Sequence, residues 1–455
     1  MARGGTLAEV QIDVAEQPQP VAVVERDEPF RILVAGNFSG GASRIRKPIA
    51  IDRDNFEEVL ALFGPELSLE FAGARLPVRF SELEDFHPDQ LFRLPPFQAL
   101  RGLRQRIGNG EAFEAAAPPR NVSGADLLRE MMGEGPAPAS AALARSAWDQ
   151  MLRDIVARYA VAKPDPRQPK YLAQTDAAIT GEMRGVLHHA DFQNLEAAWR
   201  GLCFLVRRLP TGENLKLFAW DMPKAELTSH EGLALLRRIA VEEAAGTPGG
   251  ARWAVIAGLY FFGPEHESAL AQIAAIARWA GAPFVSGVAP DVAGLAQTQA
   301  FKGLFGTLRR SSDAAWIGLA MPRFLLRLPY GAKTVTTEEF DFEEMPTPAE
   351  HERYLWANPA IACAYLLGDA FSRYGWKMSP GVISQIDGLP LHVYEEGGES
   401  LLKPCSEVLL TDRDVELLLS RGLMPLVWMK DSDRVRLARF QSVADPPQPL
   451  AGPWG

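Results

Sequence analysis

The chain has 455 residues, enough for two or three domains with apolar cores of their own. Hydrophobic residues make up 47% and charged residues 23%, as in an ordinary globular protein. The formal net charge of -10 argues against nucleic-acid binding through a broad basic surface, since phosphate contacts need clustered lysine and arginine.

The cysteines and the N-terminus predict the compartment. Cys203, Cys363 and Cys405 form no CxxC pair, so we expect reduced cysteines in a cytoplasmic protein. The N-terminus lacks the apolar core of a signal peptide. No apolar run approaches the ~20 residues that span a bilayer, so no membrane insertion is expected.

The chain begins with a predicted flexible arm, residues 1–28, which lacks sustained periodicity. Residues 30–37 form an apolar run that predicts a buried strand ending in a turn, and residues 47–51 predict a second short strand. Asp54 occupies the expected N-cap position of a helix that Gly64 ends.

Further elements complete a first unit, residues 29–117, and lead into a linker. Residues 76–80 predict a strand, and apolar spacing predicts a helix from Pro96 to Ile107. Proline- and glycine-rich stretches mark residues 118–170 as a linker that contains helices.

A second unit covers residues 171–440. Its predicted strands alternate with helices, which favours an α/β fold with a largely parallel sheet, within a mixed α/β chain of two units. The predicted helices are 171–189, 191–205, 229–244, 264–280, 356–374 and 412–421; the predicted strands are 215–220, 254–260, 283–287 and 424–429, with a hairpin at 389–402. Residues 441–455 are predicted to be a flexible tail.

Motifs for catalysis or cofactor binding are weak. The loop Gly36–Gly41 follows a strand but has neither P-loop nor GxGxxG spacing, so a tight turn is the better interpretation. His188, His189 and Asp191 could suggest a metal site, but adjacent histidines point to different sides of a helix. Ser39 and Ser286 lack the GxSxG elbow of a serine hydrolase.

One acidic cluster also lacks a catalytic signature, because paired acid and base groups need a defined pocket. We expect a solvated loop or an electrostatic contact to basic partners. The cluster consists of Glu338, Glu339, Asp341, Glu343 and Glu344. The sequence therefore predicts a protein that is not an enzyme and holds no cofactor or metal.

Five residues are candidates for a subunit interface. Arg323 and Arg327 lie four residues apart among large apolar groups. The segment is either plain core with two solvated arginines, or a subunit interface that the arginines anchor by pairing with carboxylates. The same choice stays open for Trp199 with Arg200 and for Trp356. Tryptophan and arginine are common at interface hot spots, but a buried tryptophan is equally at home in a core.

Three motifs in the first unit appear in the order and spacing of a known family. They are RILVAGNFSG at 31–40, IDRDNF at 51–56 and FSELEDFHPD at 80–89. The first unit resembles the small, TssB-like subunit of the type VI secretion contractile sheath.

The second unit carries its own set of motifs: FQNLEAAWRGL at 192–202, GLAMPRFLLRLPYG at 318–331, WAN at 356–358, YGW at 374–376 and GLMPL at 422–426. This unit resembles the large, TssC-like sheath subunit over about residues 171–440.

The resemblance implies a self-assembling structural component of a type VI secretion sheath, as a homo- or hetero-oligomer. Implied partners are the small and large sheath subunits, tube or baseplate proteins, and a ClpV-type unfoldase. Two departures are the fusion of both subunits and the early stop of the TssC-like region. They favour a cap, initiator or adaptor; the alternatives are a fully polymerising one-chain subunit, or a regulator or scaffold that binds outside the sheath.

Overall fold

The computed structural model describes residues 28–41, 45–71, 74–109, 168–246, 252–289, 304–346 and 349–454. The predicted arm up to residue 27, and most of the predicted linker, lie outside these ranges.

The described strands are, in chain order, β1 (Phe30–Gly36), β2 (Ile49–Ile51), β3 (Glu66–Phe71), β4 (Ala74–Arg79), β5 (Leu215–Asp221), β6 (Val255–Phe262), β7 (Phe284–Val288), β8 (Ile317–Met321), β9 (Phe324–Leu325), β10 (Trp356–Ala357), β11 (Gln385–Ile386), β12 (His392–Glu396), β13 (Glu399–Lys403), β14 (Leu423–Trp428) and β15 (Val435–Leu437).

The described helices are α1 (Phe56–Phe63), α2 (Pro88–Leu91), α3 (Pro95–Gly108), α4 (Gln168–Leu187), α5 (Ala190–Arg208), α6 (Lys224–Leu227), α7 (His230–Arg237), α8 (Glu243–Gly246), α9 (Glu267–Ala280), α10 (Gly306–Arg309), α11 (Pro359–Tyr374) and α12 (Asp412–Ser420). A π-helical turn, Arg238–Glu242, joins α7 to α8.

A nine-stranded sheet organises the molecule, in the order β11-β15-β14-β8-β7-β6-β1-β5-β2. Its six central strands, from β14 to β5, are mutually parallel. The outer strands β2, β15 and β11 run antiparallel to their neighbours. This confirms the predicted mixed α/β fold, and both sequence units contribute strands to the same sheet.

Helices cover both faces of this sheet, because strand side chains alternate between two cores. In β1, Phe30, Ile32 and Val34 enter one core together with residues of α1, α5 and α11. Leu33 and Ala35 enter the opposite core with residues of α7, α9 and α12. The continuous apolar run of β1 is therefore explained by burial on both faces.

Two helices begin later than the sequence predicts. The Asp52 carboxylate accepts hydrogen bonds from the backbone N–H groups of Asp54 and Asn55, so Asn55 takes the N-cap position expected for Asp54. Asn358 caps α11 through the N–H of Ala360, and the preceding residues pair as β10 instead of continuing the helix.

The C-terminal residues also differ from the prediction, because the described part of the predicted tail packs on the protein. The N–H of Val443 donates to Ile317 O at 2.9 Å, and that of Ala451 to Ala315 O at 2.8 Å. Val443 and Leu450 are buried. Proline spacing suggested a loose segment, but these apolar side chains anchor residues 441–454.

Within the described ranges, no helix combines the length and the apolar character that crossing a lipid bilayer requires.

Candidate functional site at the junction of the two units

The first unit contributes a central strand to the sheet of the second. β1 pairs with β5 along its whole length, from Phe30 opposite Leu215 to Gly36 opposite Asp221. On its other side it pairs with β6. β1 therefore lies between β5 and β6 and joins them into one sheet.

The turn after β1 is fixed by a carboxylate from the second unit. The Asp221 Oδ1 atom at the end of β5 accepts hydrogen bonds from the N–H groups of Phe38 and Ser39, at 2.8 and 3.0 Å. Gly40 follows with φ of 76°, and a Cβ atom there would lie 2.9 Å from Glu66 O. The glycine loop is thus a tight turn held by Asp221, as the sequence indicates.

Trp199, one of the five interface candidates, lies at the centre of an aromatic cluster between the units. Its side chain is fully buried and its indole N–H donates to Phe38 O at 2.9 Å. The rings of Phe38, Phe56 and Phe63 surround it, with centroids 5.1 to 5.9 Å away. Trp199 of the second unit therefore packs against three phenylalanines of the first unit.

Arg327, a second candidate, is the centre of a buried ionic network. Its guanidinium donates to Glu196 Oε1 at 2.9 Å and to Glu344 Oε2 at 2.7 Å, and both carboxylates are fully buried. Arg200 completes the set: it pairs with Glu196 and donates to the Tyr330 hydroxyl at 3.1 Å. Both arginines thus satisfy their charge within the chain.

The network shifts the pKa values of its members in directions that follow from these contacts. Burial alone would raise the pKa of Glu344, but Arg327 and hydrogen bonds from His188, Arg327 and the Tyr330 N–H lower it to about 2. Burial raises the pKa of Tyr330 to about 12. Burial opposes the charge of Arg327, yet the two carboxylates hold its pKa well above the ordinary value.

The acidic cluster joins the units at a second place. The Asp89 carboxylate accepts hydrogen bonds from the N–H groups of Glu338 and Glu339, at 2.9 and 3.1 Å. The Glu339 carboxylate in turn lies 3.0 Å from Arg101 and 3.7 Å from Arg93. The basic groups that Glu339 meets are therefore in the first unit of the same chain.

Arg323 and Trp356 lie apart from this network, beside an open cleft of about 520 Å³ at the carboxyl ends of β1 and β6. Arg323 pairs through two nitrogens with Glu407, at 2.8 and 2.5 Å, and keeps 30% of its side chain exposed. Trp356 is buried and forms part of the cleft wall beside His351. The cleft lies where open α/β sheets commonly bind ligands.

The histidine pair takes other roles than metal binding. His188 Nε2 lies 3.2 Å from Glu344 Oε1, and its Nδ1 lies 3.1 Å from Arg353. His189 is the N-cap of α5 and accepts from the N–H of Asp191. No group of side chains in the described ranges is arranged to hold a metal ion.

The sequence did not single out Glu196, and it predicted for Glu344 a solvated loop or an electrostatic contact to basic partners. Glu196 lies on the buried face of α5, between Leu195 and Trp199, four residues before Arg200. The sequence pattern that could have identified Glu196 is a carboxylate on the apolar face of a helix, four residues before an arginine.

Comparison with known proteins agrees with this arrangement. Residues 169–444, more than half of the chain, match the family described as VipB: EvpB/VC_A0108, tail sheath N-terminal domain. The chain belongs to the VipB tail sheath family. Residues 10–110 match a second family, described as type VI secretion system, VipA, VC_A0107 or Hcp2. The predicted resemblance to both sheath subunits is thereby confirmed.

A curated member of the sheath family is also similar. The type VI secretion system sheath protein TssC1 of Pseudomonas aeruginosa is 36% identical over an alignment of 305 residues, and the match covers 60% of this chain and 61% of the relative. The chain therefore spans less than two thirds of that relative's length.

Proposed function

We propose that this chain is a structural component of a type VI secretion contractile sheath, and that one polypeptide supplies both the small-subunit and the large-subunit cores. The observation that carries the proposal is the position of β1: a strand from the VipA-like region lies in the middle of the VipB-like sheet. The protein acts in the cytoplasm by assembly and not by catalysis.

The proposed partners follow from the family and from the surface. The TssC1 relative is named as a sheath protein, which supports sheath subunits as partners of this chain. We extend the proposal to tube or baseplate proteins and to a ClpV-type unfoldase. Of the five candidate interface residues, Arg323 keeps the largest exposed fraction, so we assign the partner contact to Arg323 and the adjoining Trp356 wall of the cleft.

Short sheet edges support a cap, initiator or adaptor role over a repeating one. Strand exchange uses free backbone N–H and C=O groups along an edge strand. The edges of the nine-stranded sheet are β2, with three residues, and β11, with two. Within the described residues, such edges leave few backbone groups free for adding a strand to this sheet, which supports a chain that joins a sheath at one end.

Electron microscopy of the purified chain, alone and with its cognate small and large sheath subunits, tests the proposal. The chain alone is expected to form no tubules. In the mixture, a label carried by the chain is expected at the ends of the sheaths. Long tubules from the chain alone would instead support the fully polymerising one-chain subunit. If the chain recovers no sheath component in co-purification, the sheath function itself is wrong.

A matched pair of variants tests the contact surface in the same co-purification. Arg323→Ala is expected to weaken capture of the sheath partner, whereas Arg79→Ala, at an exposed ion pair in the first unit, leaves capture unchanged. Equal capture by both variants contradicts the assignment of Arg323.

A further inference from the structure

The ribbon formed by β12 and β13 stands apart from the nine-stranded sheet. Its five residue pairs run from His392 opposite Lys403 to Glu396 opposite Glu399, and its turn is Gly397–Gly398. Two side-chain hydrogen bonds attach its base to the 351–357 segment. Lys403 Nζ lies 2.8 Å from His351 Nδ1, and the Tyr354 hydroxyl lies 2.7 Å from His392 Nδ1.

The first of these hydrogen bonds requires a neutral histidine. A lysine ammonium group has three donors and no acceptor, so His351 Nδ1 must accept the bond and carry no proton. The aromatic rings of Tyr354 and Trp356 hold the ammonium in place, with centroids 4.9 and 5.8 Å away. A proton on Nδ1 would place an N–H group opposite the ammonium and break the bond.

The surroundings of His351 favour the same neutral form. Burial lowers the pKa of His351, the positive charge of Lys403 lowers it further, and Arg323 acts in the same direction. Glu407 and Glu352 oppose this shift, but Glu407 is already paired with Arg323 at 2.5 Å. Glu352 lies on the exposed side of the same short turn.

His392, on the ribbon itself, behaves similarly. Burial lowers the pKa of His392, with Lys403 acting in the same direction and Glu344 and Glu343 acting against it. Tyr354 and the stacked ring of Tyr394 are its other neighbours. Burial therefore disfavours the charged form of both histidines at the base of the ribbon when the ribbon is closed.

We propose that the His351–Lys403 hydrogen bond is an acid-sensitive latch that holds the base of the β12–β13 ribbon against the 351–357 segment. When the ribbon opens, both histidines regain an ordinary affinity for protons. The open form then binds more protons than the closed form once the pH falls below about 6.5. The latch is closed above that pH and weakens as the pH falls through it.

Cys405 provides a built-in reporter of this opening. It lies two residues beyond β13, is fully buried, and its thiol donates to Pro390 O at 3.2 Å, just before β12. Cys363 is equally buried but lies inside α11, away from the ribbon. Opening of the ribbon base therefore exposes Cys405 and leaves Cys363 protected.

The test uses the full chain and 4,4′-dithiodipyridine, a disulfide that reacts with thiols in mild acid. Peptide mass spectrometry gives the reaction rate of each cysteine, relative to the urea-unfolded chain at the same pH. Between about pH 7.5 and about pH 5, protection of Cys405 is expected to fall severalfold while protection of Cys363 is retained.

Variants identify the group responsible. In His351→Gln the amide oxygen can accept from Lys403 but cannot titrate, so the pH dependence of Cys405 protection is expected to weaken and to keep only the contribution of His392. Lys403→Met removes the opposing cation and is expected to reduce the pH dependence as well. His230→Gln, at an exposed histidine on α7, is the control and keeps the wild-type response.

Three results would overturn the latch. They are equal protection of Cys405 at both pH values in the wild type, an unchanged acid response in both His351→Gln and Lys403→Met, and a parallel loss of protection at Cys363. The last result would indicate global unfolding in place of local opening.

Discussion

Arg327 joins two fully buried carboxylates, Glu196 and Glu344, and is the arginine that both of them share. Such an ion pair adds little net stability relative to an apolar core of the same shape, but loss of one partner is costly because an uncompensated charge remains. At the residue scale the network therefore specifies how the 327–344 segment must lie against α5.

Replacement of Arg327 by methionine is expected to lower the free energy of unfolding by about 3–5 kcal/mol, because Glu344 loses its arginine partner and Glu196 keeps only Arg200. Arg79→Met, at an ion pair whose arginine is 81% exposed, is the matched control and should cost about 0–1 kcal/mol. Urea denaturation of both variants measures the difference. Similar costs for the two would mean that the buried network is not required.

The Glu344 carboxylate should make the protein sensitive to acid. Its pKa is about 2 in the folded chain against an ordinary value of 4.5, so its contribution to stability is present above that value and is lost as the pH falls towards 2. Glu344→Gln cannot titrate and should show a weaker fall in unfolding free energy over this range. An identical acid profile in both proteins would contradict the assignment.

The sequence predicted which residue types suit an interface, but not whether they contact the same chain or another one. The residue types of Trp199, Arg200 and Arg327 suit an interface. The structure places Trp199 where the two units meet, and it pairs both arginines with groups of the second unit itself. Sequence alone could not separate a contact within the chain from a contact between chains, because both select aromatic and arginine side chains.

At the scale of elements, β1 shows what local pattern can and cannot reveal. The apolar run at 30–37 predicted a buried strand, and β5, β6 and β7 were predicted equally well from their apolar runs. The neighbours of β1 were not predictable, since its partner β5 lies about 180 residues away in the chain. Residues 318–321, which belong to a motif of the second unit, lie in β8, a strand that the apolar patterns did not identify.

Helix boundaries were less predictable than the helices themselves. Helix 229–244 was expected to be continuous, but α7 ends at Arg237 and a π-helical turn follows, in which Ile239 and Ala240 are buried. Local side-chain hydrogen bonds and packing decide such details, and neither is visible in hydrophobic spacing.

Truncation within β1 is expected to be far more damaging than truncation at the sheet edge. Ile32→Ala removes a fully buried side chain from the central strand and should cost about 2–5 kcal/mol. Ile49→Ala, on the edge strand β2 and only partly buried, is the control with the same chemistry and should cost less. Urea titrations measure the free energy of unfolding of both variants. Equal losses in Ile32→Ala and Ile49→Ala would refute this prediction.

On the scale of the whole molecule, the chain behaves as two sequence units that share one sheet. The ends of the segment between the units lie close together: the Gln168 side chain donates to Ile107 O at 2.6 Å, and Arg104 pairs with Asp176 at 2.5 Å. The covalent connection is therefore not needed to keep α3 against α4, and the two units should remain joined when it is cut.

The most direct measurement is cleavage of the folded chain at a protease site inserted between residues 118 and 150, followed by size-exclusion chromatography. The two fragments are expected to elute together under native conditions and to separate only in denaturant, because β1 lies between β5 and β6. The variant Val34→Asp, which places a charge in this fully buried strand, should release the first unit after cleavage. Separation of the wild-type fragments without denaturant would contradict a shared sheet.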